Sequence, residues 1–316
     1  MKAWQFTTTH EPLVLADLDK PVAGPGQVVL EMKAAGICHS DVGQMEDEGW
    51  LQVLAKTPIT MGHENAGVVH ERGEGVTDFA VGDRVGVCPT TSVGAPGHHY
   101  DGGFTKYLLV EAQTLVPLPD EVDFVMGAPA TDAGMTSHSA VISKGGVKAG
   151  DRVGIIGLGG LGQIGARIAV LAGAEVYVAE VNEKVWPLAK EIGATDVKAS
   201  ITDFDVELDV IVDFAGFGTT TADAIATVKE NGRVVLVGMG RLESNISRQA
   251  LIMSAVTLIG NKGGTKEDIA GVYEYMASGQ LTPTVSTNGF DEIPAGIEKL
   301  KNGEVIGRLV ATFDEA

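Results

Sequence analysis

The chain has 316 residues, of which 44% are hydrophobic and 21% charged. That is enough for two domains with ordinary cores, and it excludes a disordered or low-complexity protein. Its net charge of −19 argues against nucleic-acid and anionic-membrane partners, which need basic patches. The opening stretch, MKAWQFTTTHEP, lacks the apolar run of a signal peptide, and no apolar run reaches the roughly 18 residues of a membrane span. The two cysteines, Cys38 and Cys88, cannot build a disulfide scaffold, so a reducing, cytoplasmic setting is expected.

The first third reads as short strands cut by Gly and Pro: Val28–Lys33, Ala66–His70, Arg84–Val87 and Phe104–Val110. Turns at Gly24-Pro25-Gly26 and Val81-Gly82-Asp83 separate them. This pattern predicts a mostly β, partly barrel-like domain. Near residue 134 the character changes. Strand-like runs at Asp151–Ile156, Glu175–Glu180, Leu208–Phe214, Arg233–Val237 and Val256–Ile259 alternate with helix-like runs such as Gln163–Ala172 and Glu183–Ile192. Pro187 blemishes the second helix. The alternation predicts βαβ units and a doubly wound parallel sheet. A helix over Lys266–Ser278 follows, then a short β-rich tail through Gly307-Arg308-Leu309-Val310. The α/β block is therefore expected as an insertion: 134–266 within a catalytic domain made of 1–133 and 267–316.

Gly157-Leu158-Gly159-Gly160-Leu161-Gly162 matches G-x-G-x-x-G after a strand and before a helix. Gly157 suits the tight turn, Gly159 the close approach of a pyrophosphate, and Gly162 close helix–strand packing. The helix N-terminus offers N–H donors to the diphosphate. Glu180 ends the next strand, about 20 residues on, where an acid binds the ribose hydroxyls of a dinucleotide. A 2′-phosphate would be repelled there, and Val181-Asn182-Glu183 supplies no basic residue directly after it. This predicts NAD rather than NADP.

Gly36-Ile37-Cys38-His39-Ser40-Asp41 and Gly62-His63-Glu64 place a thiol, an imidazole and carboxylates in the first domain. Such donors suit Zn²⁺. A buried inert Cys is also a common fate, so residue types alone leave both readings open.

These segments resemble the catalytic-zinc region of the zinc-dependent medium-chain alcohol dehydrogenases. Pro25-Gly26-Gln27-Val28, Val81–Val85, Asp101–Phe104, the Gly157 turn and Gly303–Arg308 follow in the family's order across essentially the whole chain. The resemblance implies a GroES-like catalytic domain, a Rossmann domain, and reversible NAD(H)-dependent hydride transfer between an alcohol and its ketone or aldehyde. It implies Cys38, His63 and Asp132 as zinc ligands, with Glu64 as a ligand or ligand-exchange partner. Asp41 matches the acid that orients the ligand His, and Ser40 the hydroxyl that relays the alcohol proton. His39 and Arg308 match residues facing the pyrophosphate, and Thr136 and Leu161 positions near the nicotinamide. Asp132, where many members have Cys, is similar to the bacterial secondary-alcohol dehydrogenases.

Departures also matter. The lobe that carries a second, structural zinc is missing, since Ser92-Val93-Gly94 runs almost at once to Asp101-Gly102-Gly103. One metal is expected. The replacement segment, His98-His99-Tyr100, is read as a surface loop, with a second metal as the alternative, and the family's geometry sets it at the pocket with Trp50, Cys88 and Pro89. Gly43 stands where the family often continues its proton relay through a His. A homodimer or homotetramer is implied, with Val256–Ile259 as the pairing edge. Rival readings are a zinc-independent reductase of the same fold, a polyol or sugar dehydrogenase, and a non-catalytic dinucleotide sensor.

Overall fold

The computed structural model describes residues 1–313. Its packing divides the chain into two units: Met1–Asp132 together with the chain from Thr265 on, and Ala133–Gly264. No helix among the described residues is long and apolar enough to cross a membrane.

The first unit is organised around one long strand, Gln27–Ile37, almost entirely buried. It pairs antiparallel with Glu64–Arg72, Tyr107–Glu111 and Arg308–Thr312, inside a seven-stranded sheet that also holds Val285–Gly289, Arg84–Val87 and Leu115–Pro117. The strand outruns its expected end at Lys33, because Ala34, Ala35 and Gly36 let the neighbouring strands approach rather than breaking it. A smaller sheet, Val14–Asp17, Lys2–Phe6 and Ile59–Thr60, has no counterpart in the sequence reading. Phe6, Leu30, Met32, Met61, Phe104 and Leu108 form the core between these pieces. Removing apolar area of this kind from water contributes roughly 25 cal/mol per Å².

Two helices close this unit. Lys266–Ala277 starts at a Thr265/Asp268 capping box, in which each side chain satisfies an orphan backbone N–H. Ile293–Lys301 corrects the expected β-rich tail: Ile293, Ile297 and Leu300 recur at helical spacing and bury one face, and Pro294 sits harmlessly in the first turn.

The second unit carries six parallel strands in the order Asp196–Lys198, Glu175–Ala179, Arg152–Ile156, Leu208–Asp213, Val228–Leu236, Thr257–Gly260. This is the Rossmann doubly wound arrangement. The strand order reverses at Arg152–Ile156, whose carboxyl end is where such sheets hold ligands. Helix Gly162–Leu171 follows that strand. Pro187 proves no blemish, because a 3₁₀ turn over Glu183–Val185 precedes helix Trp186–Ile192 and leaves Pro187 in its first turn.

Candidate metal centre and cofactor turn

The long strand delivers Ile37 and then Cys38, which caps helix His39–Glu46. Asp41, three residues on and fully buried, accepts the Cys38 backbone N–H at 2.8 Å through Oδ2. Its other oxygen lies 3.6 Å from His63 Nδ1. The opposite ring nitrogen, Nε2, faces Ser40 Oγ at 3.2 Å and Asp132 Oδ2 at 3.6 Å. A ligand imidazole anchored through its far nitrogen by a carboxylate is the usual way a protein fixes tautomer and aim.

His63 and Glu64 sit where strand Glu64–Arg72 begins. Gly36 is opposite, and a Cβ on it would lie 1.8 Å from Glu64 Oε2. Only glycine there admits the carboxylate. Asp132 belongs to a π-helical turn, Ala130–Gly134, after the short helix Phe124–Pro129; such bulges recur at functional sites. Two contacts anchor the neighbouring backbone and side chain. Asn65 N–H donates to Thr131 Oγ1 at 3.1 Å, and Tyr273 Oη donates to the Gly127 carbonyl at 3.1 Å.

One sulfur, one imidazole nitrogen and one oxygen from each of Glu64 and Asp132 thus lie within 4.8 Å of one another. A tetrahedral zinc with ligands at about 2.0–2.3 Å would hold them somewhat closer, so a small inward movement of side chains makes the set fit. The buried atoms support that fit: both Glu64 oxygens, Asp41 Oδ1 and His63 Nδ1 have no aligned hydrogen bond. Arg308 lies against Glu64 Oε1 as its counter-charge, with both side chains buried. Burial pushes the Glu64 carboxyl up in spite of that Arg308 charge. Burial alone would favour a neutral His63, but the Asp41 and Asp132 carboxylates outweigh it and hold the ring well above its ordinary pKa. The surplus of acidic groups around this imidazole is what a divalent cation would balance.

The structure brings together Cys38, Ser40, Asp41, His63, Glu64 and Asp132. Arg308 joins them through Glu64, while His39 is exposed on the first turn of its helix. His98, in the loop that the resemblance set at the pocket, lies beside this group, a stacking that the sequence did not show. The loop expected at the surface stacks the His98 ring on His63, with centroids 5.0 Å apart and planes at 28°. Burial and the nearby His63 charge push its pKa down to about 4. Trp50, also expected at the pocket, packs against Gly43. A Cβ on Gly43 would meet its indole at 2.6 Å, so the ring takes up the space beside Gly43.

In the second unit each glycine of the turn has its own physical reason. Gly157 has φ +85°, a conformation that side chains strain to adopt. A Cβ on Gly162 would lie 1.9 Å from the Gly157 carbonyl, whereas the space beside Gly159 is open. Glu180 is tied to this turn: Oε2 accepts the Leu158 N–H at 2.8 Å, and Oε1 accepts the Asn182 N–H at 2.7 Å. The backbone at Thr136 and Leu161 is held by side chains: Asn261 donates to the Thr136 carbonyl at 3.1 Å, and Ser137 to the Leu161 carbonyl at 2.9 Å.

Comparison with known proteins places the two units. Residues 24–120 match the family profile described as alcohol dehydrogenase GroES-like domain, and residues 160–278 that described as zinc-binding dehydrogenase. An alcohol dehydrogenase of Geobacillus stearothermophilus is 29% identical over 99% of this chain and 100% of its own. The solved acetophenone reductase of Geotrichum candidum, in complex with NAD, is 30% identical with a TM-score of 0.89, over 98% of this chain and 96% of that one. The alcohol dehydrogenase structure from the archaeon Aeropyrum pernix is 28% identical, also at 0.89, over 99% of this chain and 100% of that one.

Proposed function

Because the chain belongs to the zinc-binding medium-chain alcohol dehydrogenases, we propose that it moves hydride reversibly between NAD and a secondary alcohol or its ketone. The observation that carries this reading is the convergence of Cys38, His63, Glu64 and Asp132 in a chain that also carries the Gly157 dinucleotide turn. When bound, zinc supplies Lewis acidity at the substrate oxygen, as it lowers bound water to a pKa of about 7, and the dinucleotide supplies the hydride chemistry.

The chain's own residues bind, aim and move a proton. Cys38, His63 and Asp132 would hold the metal, with Glu64 as a further donor in the same group. Asp41 keeps the His63 Nε2 pointed at Asp132 and Ser40. Ser40 Oγ takes up the substrate hydroxyl proton and passes it to water, since Gly43 and the Trp50 indole leave no place for a second relay side chain. Ser40→Ala is expected to lower kcat about a hundredfold, in the range of a positioned acid–base group, with zinc content unchanged. A loss under about threefold, measured by steady-state rates, sinks the relay.

Gly157, Gly159, Gly162 and the following helix N-terminus hold the diphosphate; Glu180 takes the adenosine ribose hydroxyls. A preference for NAD in kcat/KM follows, and Glu180→Ala should shrink it about tenfold, the worth of one hydrogen-bonding group. A wild-type advantage for NADP would refute the assignment.

Asp132 in place of the commoner Cys supports secondary alcohols, and so does the acetophenone reductase, whose named substrate is a ketone. A panel of alcohols and carbonyls with NAD(H) on zinc-verified protein tests this. Secondary alcohols and ketones should lead; primary alcohols and aldehydes winning throughout would overturn it. Self-association through strand Thr257–Gly260, at the open end of the parallel sheet, is supported by Ile252 and Met253 just before it, 71% and 73% exposed.

A further inference from the structure

The short loop that carries His98 holds polar atoms that the metal centre does not use. His98 Nε2 and Tyr100 Oη are buried, and neither has a hydrogen-bond partner among the described residues. Buried polar groups are nearly always satisfied, so atoms left unpaired beside a reaction centre ask for a partner. The loop is firmly built. Gly97 N–H donates to the Tyr100 carbonyl at 2.8 Å, Ala55 N–H to the His98 carbonyl at 2.9 Å, and Ala95 N–H to His99 Nδ1 at 3.0 Å. Gly97 lies against Gly62, where a Cβ would come 3.0 Å from the Gly62 nitrogen. The result is a fixed His98 ring stacked on the ring of His63, while His98 stays outside the group of donors that could share a metal.

We propose that His98 sets substrate choice. Its Nε2 exchanges a hydrogen bond with a second oxygen on the substrate, so the site favours vicinal diols and α-hydroxy ketones over simple alcohols and ketones. The His98 ring is stacked directly on the ring of His63, a candidate ligand. That closeness favours a second oxygen on the carbon next to the reacting one over a group at the far end of a long substrate. A site built to hydrogen-bond a hydroxyl discriminates strongly against the analogue that lacks it, because its own polar atom is then left unpaired. The proposal deepens the secondary-alcohol reading and rests on it.

The test compares butanone with acetoin, its hydroxylated counterpart, on zinc-verified wild type, His98→Phe and His98→Gln. Wild type should favour acetoin in kcat/KM by about tenfold or more. His98→Phe keeps a stacked ring but loses the nitrogen, and its ratio should fall to about one. His98→Gln should restore part of the preference, and all three proteins should hold wild-type zinc. No wild-type preference, an unchanged ratio in His98→Phe, or loss of zinc from that variant overturns the proposal. A second arm titrates butanediol and butanol into zinc-loaded protein without dinucleotide, followed by NMR line broadening. Turnover of neither ketone would reject the alcohol-dehydrogenase reading. The binding arm would still judge His98, since butanediol must bind more tightly to wild type and that advantage must vanish in His98→Phe.

Discussion

Cys38→Ser should empty the metal centre and lower kcat by on the order of 10³-fold or more. The Lewis acidity of zinc contributes several kcal/mol at the transition state, and each 1.36 kcal/mol is about tenfold in rate. Wild type should carry one zinc per subunit, on the one donor group found among the described residues. Without the metal, the Glu64 and Asp132 carboxylates stay close together, one fully buried and one partly, and Arg308 and His63 are left to offset them. The variant should therefore lose activity without regaining it in excess zinc at ordinary concentrations. Asp41→Asn gives a graded version. It leaves every ligand in place but removes the charge behind His63 Nδ1, and losing such a partner typically weakens metal affinity about 10–100-fold. Metal analysis beside steady-state rates reads both variants. Two tightly held zincs in wild type, or full activity with none, would sink the assignment.

How much of this was legible beforehand depends on whether the cause is local. The glycine turn was readable because each glycine answers to its own backbone: a positive φ at Gly157, a carbonyl against Gly162, open space at Gly159. The parallel sheet was readable from the alternation of apolar strands and helical runs. Cys38 and His63 stood out as residue types, but nothing in their spacing brings them together. That depends on strand Gln27–Ile37 pairing with Glu64–Arg72, which sets Gly36 opposite Glu64. Asp132 came only through the family resemblance, since a π-helical turn has no sequence signature of its own. Helix Ile293–Lys301 fell inside the expected β-rich tail, although Ile293, Ile297 and Leu300 recur at helical spacing and Pro294 is harmless in an opening turn. The His98 stack was invisible for a different reason. It needs the close approach of Gly97 to Gly62, a tertiary contact between two loops.

Arg308→Met is expected to destabilise the metal-free protein by about 3–5 kcal/mol. Arg308 and Glu64 are 2% and 0% exposed, and removing one partner of such a pair strands the other charge away from water. Burial already pushes the Glu64 carboxyl up while Arg308 is present; without the guanidinium the acid must take a proton or unfold its surroundings. Glu64→Gln together with Arg308→Met removes both charges and should recover most of the loss, because an apolar or neutral replacement of a buried pair is often close to neutral. Zinc adds a second counter-charge beside Glu64. The same single variant should therefore be hurt less when zinc-loaded, and denaturant unfolding of both forms measures the difference. NADH affinity separates a second role. If Arg308 also contacts the diphosphate, the double variant will regain stability yet still bind NADH weakly, at a cost of about 1.5–3 kcal/mol for a charged hydrogen bond. If it serves Glu64 alone, affinity will return with stability. An Arg308→Met protein as stable as wild type in the metal-free form would show that the pair does not hold this part of the fold.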